Sequence, residues 1–224
     1  QPQADPAVDP QFDLEITGKA MPDLAFKGGN LEIPIDDPQP ANTWRYYRVN
    51  VPANALGWDV RLDVMSGDPQ MVIRRDDSPT SFTVPTTMSL SGTSWSSLSQ
   101  VAVGNDFTDD KTAGNVDVTG RFFTAGMGAP LEAGTYIIGV SNPTFVAAPG
   151  PADQMAYTIR SRGIGETGQL DANGQPWEIL VQPLAANDGT DTDSVGLRDL
   201  AVYRIDIPAD APLWEVELVP TTSS

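Results

Sequence analysis

Proline recurs from Pro2 to Pro220, twenty in a chain of 224 residues, and twenty glycines join it. Proline lacks a backbone N–H and clashes with the preceding helical turn, so a chain punctuated this way cannot be built of long helices. No stretch keeps a 3.6-residue apolar period over three turns. The period that does appear is two. Trp58, Val60, Leu62 and Val64 alternate with Asp59, Arg61 and Asp63, the pattern of a half-buried strand. Tyr47, Val49 and Val51 alternate with Arg48 and Asn50 before Pro52 ends the run, and the turn-like stretch 53–57 joins the two. The pair reads as an antiparallel hairpin. Further strands are expected at 11–17, 30–35, 70–75, 99–103, 119–125, 134–142, 155–162, 176–182, 200–207 and 213–219, each bounded by Gly, Pro, Asp or Asn. Many short strands between turn signals predict an all-β fold, an antiparallel sandwich or barrel. One core is expected from Tyr47, Val49, Val51, Trp58, Val60, Leu62, Tyr136, Ile138, Val140, Tyr157 and Ile159.

The chain also repeats itself. Tyr47 to Ala55 matches Tyr203 to Ala211 at a constant offset of 156, which continues through Trp58/Trp214, Val60/Val216 and Leu62/Leu218. Leu31-Glu32-Ile33 matches Trp177-Glu178-Ile179 at an offset of 146. Pro6 to Gly18 matches Pro151 to Gly163 at an offset of 145. Three echoes in consistent order argue against chance likeness between hairpins, and a period of domain length means tandem modules. The expected organisation is a closing strand of a preceding module at 1–18, a complete module at 19–163 and the opening part of a second at 164–224.

Four segments of the central module resemble the bacterial pre-peptidase C-terminal domain family. Tyr46 to Pro52 is similar to that family's opening aromatic strand, and Ser66-Gly67-Asp68-Pro69-Gln70 through Arg74 to its Gly-Asp strand. Ala133-Gly134-Thr135-Tyr136 through Val140 resembles its Gly-Thr-Tyr strand, and Ala156 to Ile159 its closing strand. The likeness covers much of 44–162. Gln70 stands where the family has a second Asp, and 85–120 is longer than its norm. Met21-Pro22-Asp23 stands where collagenase relatives carry a calcium-binding linker. The resemblance implies a small, jelly-roll-like β-sandwich that trails secreted peptidases without catalysing. It also implies calcium held by an acidic loop before the aromatic strand.

Composition excludes several functions. The chain has no His and no Cys, which removes imidazole-based nucleophile systems, thiol chemistry, disulfides and zinc ribbons. Its net charge of −17 repels nucleic acid and anionic membrane surfaces, and no apolar run approaches the roughly 20 residues of a spanning helix. Of the 30 acids, 23 are Asp, a loop residue and hard oxygen ligand, so the acids either solubilise loops or coordinate calcium. Asn187 to Asp193 places Asp188, Asp191 and Asp193 at spacings of three and two, with Asp199 nearby. Such a loop either gathers oxygens around calcium or stays solvated. Asp36 and Asp37 form the shorter equivalent in the central copy, and Asn105, Asp106, Asp109, Asp110 and Asn115 a third cluster. Adjacent carboxylates without a partner motif do not suggest acid–base catalysis.

Trp58, Trp214 and Trp177 fall in phase with apolar neighbours and are expected in cores. Trp95 stands alone in a Ser-rich stretch, where it either stacks on a ligand or plugs the sandwich end. The expected function is a non-catalytic β-sandwich module of a larger bacterial secreted or cell-surface protein. It would serve binding to a protein or polysaccharide surface, or assembly by head-to-tail self-association. The alternative is a substrate-targeting accessory of a secreted hydrolase, a peptidase or glycosidase.

Overall fold

The structure is a computed structural model. It describes residues 20–82, 101–103, 105–106, 120–126, 131–165, 178–195 and 200–220. The chain forms two sheets. The smaller takes the order β2 (Arg45–Val51), β8 (Gly134–Ser141), β4 (Gln70–Arg75) and β5 (Val101–Val103), with antiparallel pairing throughout. The larger has seven strands: β11 (Val202–Ile205), β10 (Glu178–Leu184), β9 (Ala156–Gly165), β3 (Gly57–Ser66), β7 (Gly120–Gly126) and β6 (Asn105–Asp106), with β1 (Gly29–Ile33) also paired to β9. Apart from one short 3-10 turn at Pro151–Asp153, no helix occurs among the described residues. The protein is an all-β sandwich.

The alternation sets which side chains go inside. All eleven residues expected in one core are buried in one cluster, with Phe26, Met71, Ile73, Phe123 and Met155 added. Trp58, fully buried, stands at its centre. Its ring meets Phe123 and Tyr136 edge-on at 5.8 and 5.4 Å and Phe26 at 6.2 Å. A buried indole N–H needs a partner. Trp58 Nε1 donates to Ser161 Oγ at 2.8 Å, and the Ser161 hydroxyl donates to the Phe26 carbonyl at 3.0 Å. A second chain of hydrogen bonds crosses the core. The Tyr157 hydroxyl donates to Gln39 Oε1 at 2.6 Å, which leaves its oxygen to accept from Tyr47 at 2.9 Å. Gln39 Nε2 in turn donates to the Thr43 and Val140 carbonyls at 2.9 and 3.0 Å.

The hairpin expected from 47–64 does not form. β2 pairs with β8 in the small sheet, and β3 pairs with β9 and β7 in the large one. The connection 52–56 therefore crosses between sheets, and the apolar sides of β2 and β3 face each other across the core. Two strands with matching inward faces can be neighbours in one sheet or opposed in two. The sequence pattern is the same either way.

The outer face of the small sheet is covered too. Gly139 lies opposite the outward Tyr46, and a Cβ there would stand 2.8 Å from Pro79 and 3.0 Å from Trp44. The missing side chain lets the 76–82 segment lie across the sheet, with the Tyr46 hydroxyl donating to the Pro79 carbonyl at 3.1 Å. Val72 and Ile137, both outward in the alternation, are buried as well.

Strand 200–207 shortens to β11, which joins β10 in parallel, and 213–219 enters no strand. Trp214, expected in a core, is 54% exposed where its counterpart Trp58 is fully buried. β9, β10 and β11 share a separate apolar cluster of Ile164, Ile179, Val181 and Val202. The expected strand 11–17 and Trp177 lie outside the described residues.

Two outcomes follow for stability. Trp58→Ala should cost about 3–5 kcal/mol in denaturant unfolding, while Trp214→Ala should stay within about 0.5 kcal/mol. Equal effects at both positions would contradict this placement. Burial also pushes up the phenols of Tyr47, Tyr157 and Tyr136, the last from 10.0 to about 12. Groups with raised native values stabilise fully below their unfolded value. Stability should therefore hold up to about pH 10 and fall from there through pH 12 as unfolded tyrosines ionise first. Tyr136→Phe should reduce the slope of that loss.

Candidate functional site

Most charged side chains of the sandwich are occupied with one another. Asp59, buried on the outer face of the large sheet, accepts from Arg61 Nε at 3.0 Å and from Arg162 Nε and Nη2 at 3.0 and 2.8 Å, and Thr124 approaches it at 3.3 Å. Asp63 pairs with Arg160. Arg61 and Arg160 stand directly opposite in the β3–β9 register, and these two aspartates neutralise that like-charge contact. Arg121 faces inward beside Leu62 and is buried. Its Nη2 donates to Asp68 Oδ1 at 2.7 Å, and with the Gln70 amide turned oxygen-first, Gln70 accepts from the same guanidinium. The Gly67-Asp68 turn thus supplies the counter-charge of a buried arginine. Such a pair resists removal of one partner far more than its net contribution to stability suggests. Nothing in the sequence pattern announces Arg121, because it occupies an inward position where an apolar residue is the rule.

The acidic loop follows β10. Asp188 sits in the left-handed region at φ 56°, which Asp tolerates better than most residues. It lines a hollow with Asn187, Ile207, Leu213 and Trp214. Tyr203 lies close enough to feel the Asp191 and Asp193 carboxylates. Interaction with Asp191 pushes the Tyr203 phenol up, with desolvation and the charges of Asp191 and Asp193 adding to it. Asp193 accepts from Gln182 Nε2 at 3.3 Å. Asp191 and Asp193 each also accept from the next backbone N–H, at 2.9 and 2.7 Å. Asp36 and Asp37 are exposed in a turn closed by the Asp37 N–H and the Pro34 carbonyl at 3.3 Å. Among the described residues, no group of three or more Asp and Glu could hold a metal ion. As placed, these carboxylates do not form a cage of the six to eight oxygens calcium takes. Asp199, Asp109, Asp110 and Asn115 lie outside the described residues; Asn105 and Asp106 fall in β6.

Trp95 also lies outside the described residues. Among the described residues stands an aromatic cluster that the sequence pattern does not announce. Trp44 stacks on Tyr46 at 5.9 Å and on Phe82 at 5.0 Å, over Gly139 and Pro79. The rings pack on one another, so they pin the 76–82 segment to the sheet.

The largest unsatisfied feature is apolar. Leu213, Trp214, Val216 and Leu218 are 83, 54, 61 and 91% exposed, and Tyr203 and Ile207 add to the same set. For all of these but Leu213, the counterparts at the offset of 156 are Trp58, Val60, Leu62, Tyr47 and Val51, all buried. β11 departs from the burial of β2 at two positions. Val202, the counterpart of outward Tyr46, is buried, and Tyr203, the counterpart of inward Tyr47, faces solvent. The same alternation is thus buried at 47–62 and largely exposed at 203–218.

No protein-family model matches the chain. No curated protein matches it. Among solved structures it is similar to the pre-peptidase C-terminal domain of a collagenase from Bacillus anthracis. Identity is 10% and the TM-score 0.36, over 66% of this chain and 100% of that one. It is also similar to CorA, a surface-associated copper-binding protein of Methylomicrobium album BG8, with 8% identity and a TM-score of 0.32 over 63% of this chain and 98% of that one. At these values neither likeness carries an argument about function. No helix among the described residues is long and apolar enough to cross a membrane.

The loop geometry predicts a specific titration. Asp191→Asn should bring the Tyr203 phenol back toward its ordinary value, read by ultraviolet difference titration, while Asp188→Asn should leave it unchanged. An unshifted phenol in Asp191→Asn would rule out the contact.

Proposed function

We propose that the chain is a non-catalytic β-sandwich module of a larger secreted or cell-surface protein, and that it builds an array by joining its open apolar face to a neighbouring module. One observation carries the reading. At a constant offset of 156, Tyr203, Ile207, Trp214, Val216 and Leu218 repeat the buried Tyr47, Val51, Trp58, Val60 and Leu62, yet they are exposed. Exposed apolar surface of this kind, with Ile207, Leu213 and Trp214 lining one hollow, marks an interaction site. The absence of catalysis is supported by the chemistry of the described charges. Asp59, Asp63, Asp68 and Glu178 are held by Arg61 and Arg162, Arg160, Arg121 and Lys27, in ion pairs that brace strands. An extracellular setting is supported by the Asp-rich, Lys-poor surface, with three Lys among the bases.

Sedimentation velocity tests the reading. The chain should exceed its single-chain mass of 23.9 kDa as concentration rises. Leu218→Lys should hold it at that mass with the melting temperature unchanged, because Leu218 touches little of the sandwich. A Leu218→Lys protein that associates like the parent, or a parent that stays single throughout, would refute the proposal.

A further inference from the structure

We infer that Phe145 is a docking knob, and that it seats in a hollow at the opposite end of the sandwich of a second copy of this chain. The ring is 79% exposed, on the loop 142–150 between β8 and β9. A single exposed apolar side chain is ordinary on a protein surface. This one is held out by a clamp. Asn42 Nδ2 donates to the Val146 carbonyl at 2.8 Å, and Asn42 Oδ1 accepts from the Val146 N–H at 2.9 Å. Asn142 Oδ1 accepts from the Thr144 N–H at 2.8 Å on the other side of the ring. Asn42 itself stands in the left-handed region at φ 59°. Strained backbone of this sort gathers at clamps that hold a binding element ready. A ring fixed before contact avoids part of the ordering cost of association.

The receptor lies at the other end. A hollow of about 460 Å³ is lined by Phe26, Pro52, Ala55, Leu56, Ile164 and Lys27. Pockets that take a small ligand run from roughly 300 to 1,000 Å³ and have mostly apolar walls. This one has room for a ring with its flanking residues. Arg45 opposite Val140 marks the Phe145 end of the small sheet, and Val51 opposite Gly134 marks the hollow end. β9 runs from Ala156 at the first end to Gly165 at the second, about 30 Å at roughly 3.3 Å per residue. Phe145 follows the last residue of β8, Ser141, by a stretch of chain that reaches about 14 Å at most. The ring therefore cannot fill the hollow of its own chain. A ring seated there comes from another copy, and such a head-to-tail contact gives open chains or rings.

Charge agrees with this occupant. Asp36, Asp37 and Asp153 lie at the Phe145 end, where Gln39 and Met155 exchange backbone hydrogen bonds at 2.8 and 2.9 Å. A chain with a net charge of −17 offers few places where that end can approach without repulsion. Lys27 is the one charged residue in the lining of the hollow, and its partner Glu178 is buried. The contact is separate from the 203–218 face and does not rest on it. An aromatic ring buries about 150–250 Å², far below the roughly 1,000 Å² of a stable interface. The knob is therefore weak between two free chains, and it gains strength where copies are held in series.

The test uses the full chain carrying Leu218→Lys, which takes the 203–218 face out of play. The protein has no cysteine, so an introduced pair reports one contact. Chains with Ala147→Cys, beside the ring, are mixed with chains with Asn54→Cys, at the hollow, and treated with a short flexible bis-maleimide. The mixed product should exceed the two like-with-like products on the order of tenfold, because seating the ring raises the effective concentration of the two thiols. Phe145→Ser in the first chain, or Leu56→Asp in the second, should each return the products to the statistical ratio with the melting temperature unchanged, since both side chains are at least half exposed. Asn42→Gly keeps the left-handed backbone and removes the clamp, so it should also lower the mixed yield. A statistical ratio from the parent pair, an excess that survives Phe145→Ser, or an undiminished yield from Asn42→Gly would each overturn the inference. None of these outcomes bears on association through the 203–218 face, which sedimentation of the parent reads separately.

Discussion

The indole of Trp58 joins the two sheets. It lies on β3 in the large sheet, meets Phe123 of the neighbouring strand and Tyr136 of the opposite sheet, and reaches Ser161 on β9 through its N–H. Ser161 passes the connection on to the Phe26 carbonyl, so the segment before β1 is tied to the same point. An aromatic ring of this size buries a large apolar area while its one polar atom dictates orientation. The register of β3 on β9 thus depends on one side chain that must satisfy packing and hydrogen bonding together. A one-residue slip would send Trp58, Val60 and Leu62 outward at once.

The charges follow a different economy. The net charge is −17, yet the described arginines largely serve the sandwich's own acids. Arg48 meets Asp23, Arg75 meets Glu132, and Arg121 meets Asp68. Exposed pairs of this kind contribute little individually. The buried ones fix geometry because a lone buried charge is costly. The Arg48–Asp23 contact holds the Asp23 carboxyl below its usual range and places the 22–24 segment on β2. A side-chain pair on the surface thereby sets the direction in which the chain enters the fold.

The repeated pattern has two outcomes in one molecule. Trp58, Val60 and Leu62 are buried because β9 and β7 flank β3 and the small sheet lies over it. Trp214, Val216 and Leu218 have the same spacing and are exposed. Alternation records which side chains share a face. It holds no force that buries them until another layer arrives.

The sequence by itself determined the fold class, the inward residues of the sandwich core and most strand positions, because each depends on a local period of two and on turn residues a few positions apart. It could not determine that β2 and β3 oppose each other across the core instead of pairing, because inward faces match in both arrangements. Arg121 inside the sandwich and the Trp44–Tyr46–Phe82 cluster were also illegible. Asp68 lies 53 residues from Arg121, and Gly139 lies far along the chain from Trp44. The same limit applies to the acidic loop, where Gln182, eleven residues away, donates to Asp193. Spacing along a chain constrains near neighbours. Which edges pair, which charges meet and which apolar face stays open are decided by contacts between residues far apart in sequence, and those exist only once the layers have packed.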